Sequence, residues 1–347
     1  MVFDETLSPI AEALLRFSSF AGHAILFGCV PVAIFVLRPA FVGLPGGWKS
    51  GRERVARRLD GLVVAMLVAS AAAAVLGVLI KAIQIANLKQ ANLSADSFRS
   101  VLDSSYGQWY AVRIPLLLAL AILLVGRVRK AIFASDSGSL RLWWLGWGGL
   151  ALALLATTTF AGHASVAEPR GPALINDVIH LASGATWFTG IVMLAIVLPD
   201  AWISKDPVER LSVLAPLVVR FSHLALISIT IVAITGTLNS FLHVGKLADM
   251  TSTSYGQTLS VKILFFLVIL ATGAVNHFII RKRLENALTA REPTSAHRTF
   301  RRTIALELAV AVGLMALTGA LVGLRRTEAG ETATGDGRPP VTRPQRL

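Results

Sequence analysis

Eight runs of about 20 predominantly apolar residues recur along the 347-residue chain, each long enough to cross the hydrocarbon core of a bilayer as an α-helix. They are Phe17 to Leu37, Gly61 to Ile80, Gln108 to Val125, Leu142 to Phe160, Leu174 to Leu198, Leu214 to Leu238, Leu259 to Ile280 and Ile304 to Leu324. The runs are rich in Ala and Leu and do not alternate with polar residues, so a closed barrel is disfavoured. A helix satisfies its own backbone in lipid. Composition agrees: 54% of residues are hydrophobic and 15% charged, against about 25% charged in soluble proteins. The mean hydropathy of +0.66 excludes disorder and most soluble classes. The one cysteine, Cys29, excludes an intramolecular disulfide framework and any CxxC site. The predicted fold is an all-α integral membrane protein with eight transmembrane helices.

Lys and Arg number 33 and Asp and Glu 20, a net charge of +13 that in a soluble chain would point to nucleic acid. Their positions point elsewhere. Arg38, Lys49, Arg52, Arg54, Arg57 and Arg58 follow the first run; Arg127, Arg129, Lys130 and Arg141 follow the third. Arg281, Lys282, Arg283, Arg291, Arg298, Arg301 and Arg302 follow the seventh. The connections between these carry only Lys89 and Arg99, then Arg170, then Lys246. The positive-inside rule places the three basic connections in the cytoplasm and both termini on the periplasmic side. The basic surplus is therefore topology, and no nucleic-acid partner is expected. Arg325, Arg326, Arg338, Arg343 and Arg346 run against the bias, but they follow the last run, where the early connections have more say.

Asp4 and Glu5 precede the first run without a basic stretch, so no cleavable signal peptide is read. Ser8-Pro9 has the form of an N-cap with proline in the first turn, which starts the first helix well before Phe17. Only a short stretch precedes it, so no fused soluble domain is expected. The predicted organisation is an N-terminal membrane half at 1–141, a second membrane region at 142–324 and a disordered basic tail at 325–347 rich in Gly, Thr, Pro and Arg.

Two segments match. Ser105-Tyr106-Gly107-Gln108 opens the third run, followed by Val112, Arg113 and Ile114. Ser254-Tyr255-Gly256-Gln257 opens the seventh, followed at the same spacing by Val261, Lys262 and Ile263. They lie four spans apart and share an orientation, which predicts two parallel four-helix repeats with a site at their interface. His23 and His180, in the first and fifth runs, occupy matching places once a gap is allowed.

Ionisable groups inside a bilayer are costly and mark function by default. His23 and His180 fall in the outer halves of their runs, His223 near the middle of the sixth, and His163 and His243 at outer ends. Imidazole suits copper, zinc and haem iron and needs a partner to orient it. Asp177 lies one turn before His180 on the same face and is the predicted partner. The candidate metal ligands are thus His180, His163, His23, His223 and His243. Cys29 and Met193 are soft residues that could suit Cu(I), with core packing the alternative. P-loop, HExxH, GxSxG and Met-x-x-Met patterns are missing. ATP-driven transport and hydrolysis are disfavoured accordingly.

Several short motifs then occur in a fixed order. They are Phe160-Ala161-Gly162-His163-Ala164, Asn176-Asp177-Val178-Ile179-His180-Leu181, Trp187-Phe188-Thr189-Gly190 and Arg220-Phe221-Ser222-His223-Leu224-Ala225. Thr235-Gly236-Thr237-Leu238-Asn239, the Thr253 to Lys262 segment and Asn276-His277 complete the set. Together they resemble the copper-resistance protein D (CopD) family of bacterial inner-membrane proteins, closely over Leu142 to Leu324 and more loosely before it. The resemblance implies an eight-helix plasma-membrane protein that moves a copper ion inward from the periplasm, without enzymatic chemistry. It also implies a periplasmic copper-binding partner of the CopC type.

Two other readings stay open. One is a membrane redox protein in which facing histidines ligate haem b, with Gly184 near His180 making room for the macrocycle. The other is a structural or sensory protein whose histidines serve packing alone. For the topology, reporters fused at Ser50, Ser135 or Thr294 are expected to read cytoplasm, and at Asn92, Pro169 or Thr251 periplasm. Reversed readings at two of these positions would overturn the orientation.

Overall fold

The computed structural model describes residues 7–42, 49–90, 92–124, 138–161, 170–201, 207–243, 254–290 and 299–317. Helix α1 comprises Leu7–Val32, a π-helical turn at Ala33–Leu37 and a last turn at Arg38–Val42. It is followed by α2 (Lys49–Leu88), α3 (Ala95–Leu102), α4 (Ser105–Leu124), α5 (Gly138–Phe160), α6 (Arg170–Ala201) and α7 (Pro207–His243). Helix α8 comprises Ser254–Val275, a π-helical turn at Asn276–Ile280 and Arg281–Ala290; α9 covers 299–317. There is no strand among the described residues. Among the described residues seven helices, α1, α2 and α4 to α8, are long and apolar enough to cross a membrane. The predicted eighth run is helical as far as residue 317; its remainder and the tail lie outside the described residues.

The helices overrun the apolar stretches that identify them. Helix α2 has 40 residues, about 60 Å at 1.5 Å per residue and twice the hydrocarbon thickness. Arg52, Arg54, Arg57 and Arg58 consequently belong to its first turns rather than to a loop, because Arg, Glu and Ala are strong helix formers. Arg281, Lys282 and Arg283 extend α8 in the same way. The short α3 carries no apolar run, yet it buries Ser97 and Val101 after an extended Ser94. In α1, Pro31 removes a backbone donor just before the π-helical turn, the kind of local adjustment by which a spanning helix accommodates proline.

Between spanning helices lipid supplies no hydrophobic drive, so close packing and hydrogen bonds decide the arrangement. Helix α1 packs on α2, α5 and α6, and α6 packs on α7. At Gly28 the backbones meet: a Cβ there would stand 2.3 Å from Thr189 Oγ1 and 2.5 Å from the Ala185 carbonyl oxygen. Thr189 Oγ1 donates to the Ala24 carbonyl at 2.9 Å, and Trp147 Nε1 donates to the Leu26 carbonyl at 2.9 Å. On the next face, Gly22 admits Ser70 of α2. Leu26, Leu37, Trp147, Leu154, Ile191 and Met193 fill the interior, while Val68, Ile122, Leu145 and Leu264 point outward.

Elsewhere in a helix Gly→Ala stabilises by about 0.5–1 kcal/mol. Gly28→Ala should instead destabilise by roughly 1–3 kcal/mol, the cost of overpacking. Gly149, with nothing within 4 Å of its added Cβ, is the control. The thermal midpoint of purified protein is expected to fall for Gly28→Ala and to hold or rise for Gly149→Ala.

Candidate functional site

The motifs around His180 and Thr235, 55 residues apart in sequence, come together between α6 and α7. His180 is half-buried, and its Nδ1 lies 2.9 Å from Thr235 Oγ1. The Thr235 hydroxyl sits 2.6 Å from the Ile231 carbonyl, to which it donates its one hydrogen. With that hydrogen committed, the hydroxyl oxygen accepts from Nδ1–H, and the lone pair of the imidazole is on Nε2. Gly236 gives the ring its place, since a Cβ there would stand 3.2 Å from His180 Cε1. Asn176 Nδ2 donates to the Thr235 carbonyl at 2.9 Å and to Asn239 Oδ1 at 2.8 Å. Asn239 Nδ2 in turn reaches Asp177 Oδ1 at 3.5 Å. Thr235 therefore orients His180, and Asp177 stands one turn away in the same network. Asp177 and Lys262 both act electrostatically on the ring.

His23 lies on α1 and is 1% exposed, and neither ring nitrogen has a hydrogen-bond partner. Ser70 Oγ and Thr159 Oγ1 are likewise buried without one. Arg113, also buried, donates through Nε to Thr157 Oγ1 at 2.8 Å and lies 4.4 Å over the Tyr110 ring. Its charge reaches His23. Arg113 on α4 acts electrostatically on His23, as Lys262 on α8 does on His180.

His223 does not join these outer residues. It is exposed, and its Nε2 accepts from Arg281 Nη1 at 2.7 Å. Twelve residues of α7 separate it from Thr235, about 18 Å along the axis. Its neighbour is His277, with ring centroids 6.1 Å apart; His277 Nδ1 lies 2.7 Å from Ser222 Oγ. The reason is helix length: α7 runs 37 residues, so a mid-run position does not fix a depth. His163 lies outside the described residues, and of His243, the last residue of α7, only the backbone is described. Among the described residues, no three His, Cys, Asp or Glu side chains converge in a metal-holding group. Cys29 Sγ contacts the Leu26 carbonyl at 3.1 Å and Met193 is fully buried, so both serve the core.

Sequence reasoning missed Thr235, Gly236, Asn239 and His277 as site residues. The signal was present in the Thr235 to Asn239 motif and in Asn276-His277, but a hydroxyl, an amide and a glycine inside an apolar run carry no charge to draw attention.

These features define a multi-pass membrane protein with polar networks between its spans. The family model described as Copper resistance protein D-like, N-terminal domain, matches residues 7–170, and that described as Copper resistance protein D matches residues 215–321. The chain belongs to the copper resistance protein D family. It is 24% identical over 327 residues to Copper resistance protein D of Pseudomonas syringae pv. tomato, covering 90% of this chain and 96% of that protein. It is 26% identical over 190 residues to Copper transport protein CutJ of Bacillus subtilis (strain 168), covering 55% of this chain and 34% of that protein. The match thus spans about a third of CutJ's length. No solved structure matches the chain.

Proposed function

We propose that this protein carries copper across the bacterial plasma membrane, taking it up from the periplasmic side and contributing to copper tolerance. The observation that carries this reading is the His180 network: an intramembrane imidazole anchored through Nδ1 by Thr235, with Nε2 left to bind. Second contacts that orient a ligand are what a metal site needs. The copper relatives support the choice of metal.

In this account the chain has eight spans in two parallel four-helix repeats, the basic connections face the cytoplasm and both termini face the periplasm. Copper arrives at the outer ends of the spans, from a CopC-type periplasmic protein, and meets His163 and His243 there. His180 and His23 hold it within the bilayer and His223 receives it further in. Asp177 supplies a negative charge beside His180. No bond-making chemistry is assigned to the protein.

Deletion is expected to change cellular copper content or copper tolerance, with zinc and nickel responding less; unchanged metal quotas across a copper titration would contradict copper handling. His180→Ala should abolish copper-dependent function at near-normal membrane abundance. Asp177→Asn should be milder, about 10- to 100-fold in affinity. His297→Ala, in a basic connection, should be silent. Retained function in His180→Ala, or loss only because the protein disappears, would make that histidine a packing residue. A Soret band in purified protein would favour haem b instead.

A further inference from the structure

A cavity of about 110 Å³ lies between α7, α8 and α9, walled by Trp187, Phe221, Ile229, Leu270 and Phe300. Four polar side chains line it: Ser222, Asn276, His277 and Glu307. Glu307 is 3% exposed, and a carboxyl in such a place is retained only with specific partners. Asn276 Nδ2 donates to Glu307 Oε1 at 2.8 Å. Thr303 Oγ1 lies 2.6 Å from Asn276 Oδ1, which fixes the amide with its nitrogen toward the carboxylate. Thr272 also lies against Glu307. The imidazole is held from the other side, Ser222 Oγ lying 2.7 Å from His277 Nδ1. Asn276 and His277 open the π-helical turn of α8, and such turns recur at functional sites. The charged and titratable groups around His277 are Arg281 and Glu285 on its own helix and His223 on α7.

A nitrogen ligand and an oxygen ligand, each braced by a hydrogen bond, thus line one cavity with room for an ion and water. From this we infer that the His277–Glu307 cavity is a second copper station, binding the ion through the imidazole and the carboxylate. The inference rests on the copper-transport reading above and adds a place for the cargo near the middle of α7, toward its N-terminal side from Thr235. Imidazole suits copper, and one carboxylate balances the charge of a desolvated monovalent ion. Ser222 and Thr235 are thirteen residues apart on α7, about 20 Å along the axis. One face of that helix connects the two sites: Ser222, Ala225 and Ile229 line the cavity, Val232 faces Gly184, and Gly236 faces His180. Two sites of modest ligand number suit a carrier, because each must release what it binds.

The test is a Cu(I) titration of the full-length protein in lipid nanodiscs against a chromogenic bicinchoninate competitor. Wild type is expected to bind two equivalents. Glu307→Gln and His277→Gln should each lose one equivalent, or weaken it at least tenfold, and keep the other. His180→Ala should show the converse. Thr303→Val, which releases Asn276 along with a bond to the Phe300 carbonyl of its own helix, should weaken the same equivalent by about tenfold. It carries the test, together with Glu307→Asp, if Glu307→Gln does not elute as folded protein. Wild-type stoichiometry and affinity in the folded cavity variants would overturn the second station. So would variants that bind both equivalents but lose proton-coupled uptake, which would make Glu307 a proton carrier. One equivalent in wild type, lost only in His180→Ala, would overturn this inference and leave the transport reading standing. No copper bound to wild type would overturn both.

Discussion

The contact between α1 and α6 at Gly28 fixes the helix that carries His180. Two spanning helices approach to backbone distance only where a side chain is missing, and here the Cβ position of Gly28 is taken by Thr189 and the Ala185 carbonyl. The Thr189 hydroxyl closes the seam on the Ala24 carbonyl. Helix α6 is thereby held against the most enclosed of the described spans, and it carries His180 to α7. Helix α7 in turn carries Ser222 to His277 of α8. A shift at the seam would propagate to both histidine sites through packed helices rather than through loops.

Within that frame the polar chemistry is sparse and mutually dependent. Hydrogen bonds between spans are worth only about 1 kcal/mol each, so their value lies in aim. Thr235 shows how: its hydroxyl returns its hydrogen to its own helix at Ile231 and so becomes an acceptor for His180. Asn276 works in the opposite sense, with Thr303 turning the amide so that its nitrogen donates to Glu307. Arg113 and Lys262, which follow the two Ser-Tyr-Gly-Gln segments at the same spacing, act electrostatically on His23 and His180 respectively.

Much of the fold was legible in the sequence, because hydropathy reports what must be in lipid. The existence of the first seven spans follows from it; the early start of α1 is read from Ser8-Pro9 instead, and the helix already includes Leu7, so Ser8 is not its N-cap. The helix ends do not, since Arg52 to Arg58 and Arg281 to Arg283 are as content in a helix above the membrane as in a loop. Nor does α3, whose eight residues carry too little apolar surface to stand out. The π-helical turn at Ala33 has its local mark in Pro31, whereas the one at Asn276 has no such mark in the sequence. At the site, the ionisable His180 and Asp177 were visible from their cost in lipid, but the division of labour between them was not. Thr235 outcompetes Asp177 for the ring because of the crossing of α6 and α7, which no single helix encodes. His223 stands about 18 Å along α7 from Thr235 for a related reason: depth along a 37-residue helix is set by its neighbours.

The central claim is that copper sits on imidazole nitrogen inside the bilayer, next to Thr235. X-ray absorption at the copper K-edge, on the full-length Glu307→Gln protein loaded with one equivalent of Cu(I) in lipid nanodiscs so that the second station is closed, addresses it directly. The account predicts a nitrogen or oxygen first shell with the outer-shell scattering of imidazole, weakened in His180→Ala and preserved in His297→Ala. A first shell made of sulfur, or a spectrum unchanged by His180→Ala, would contradict it.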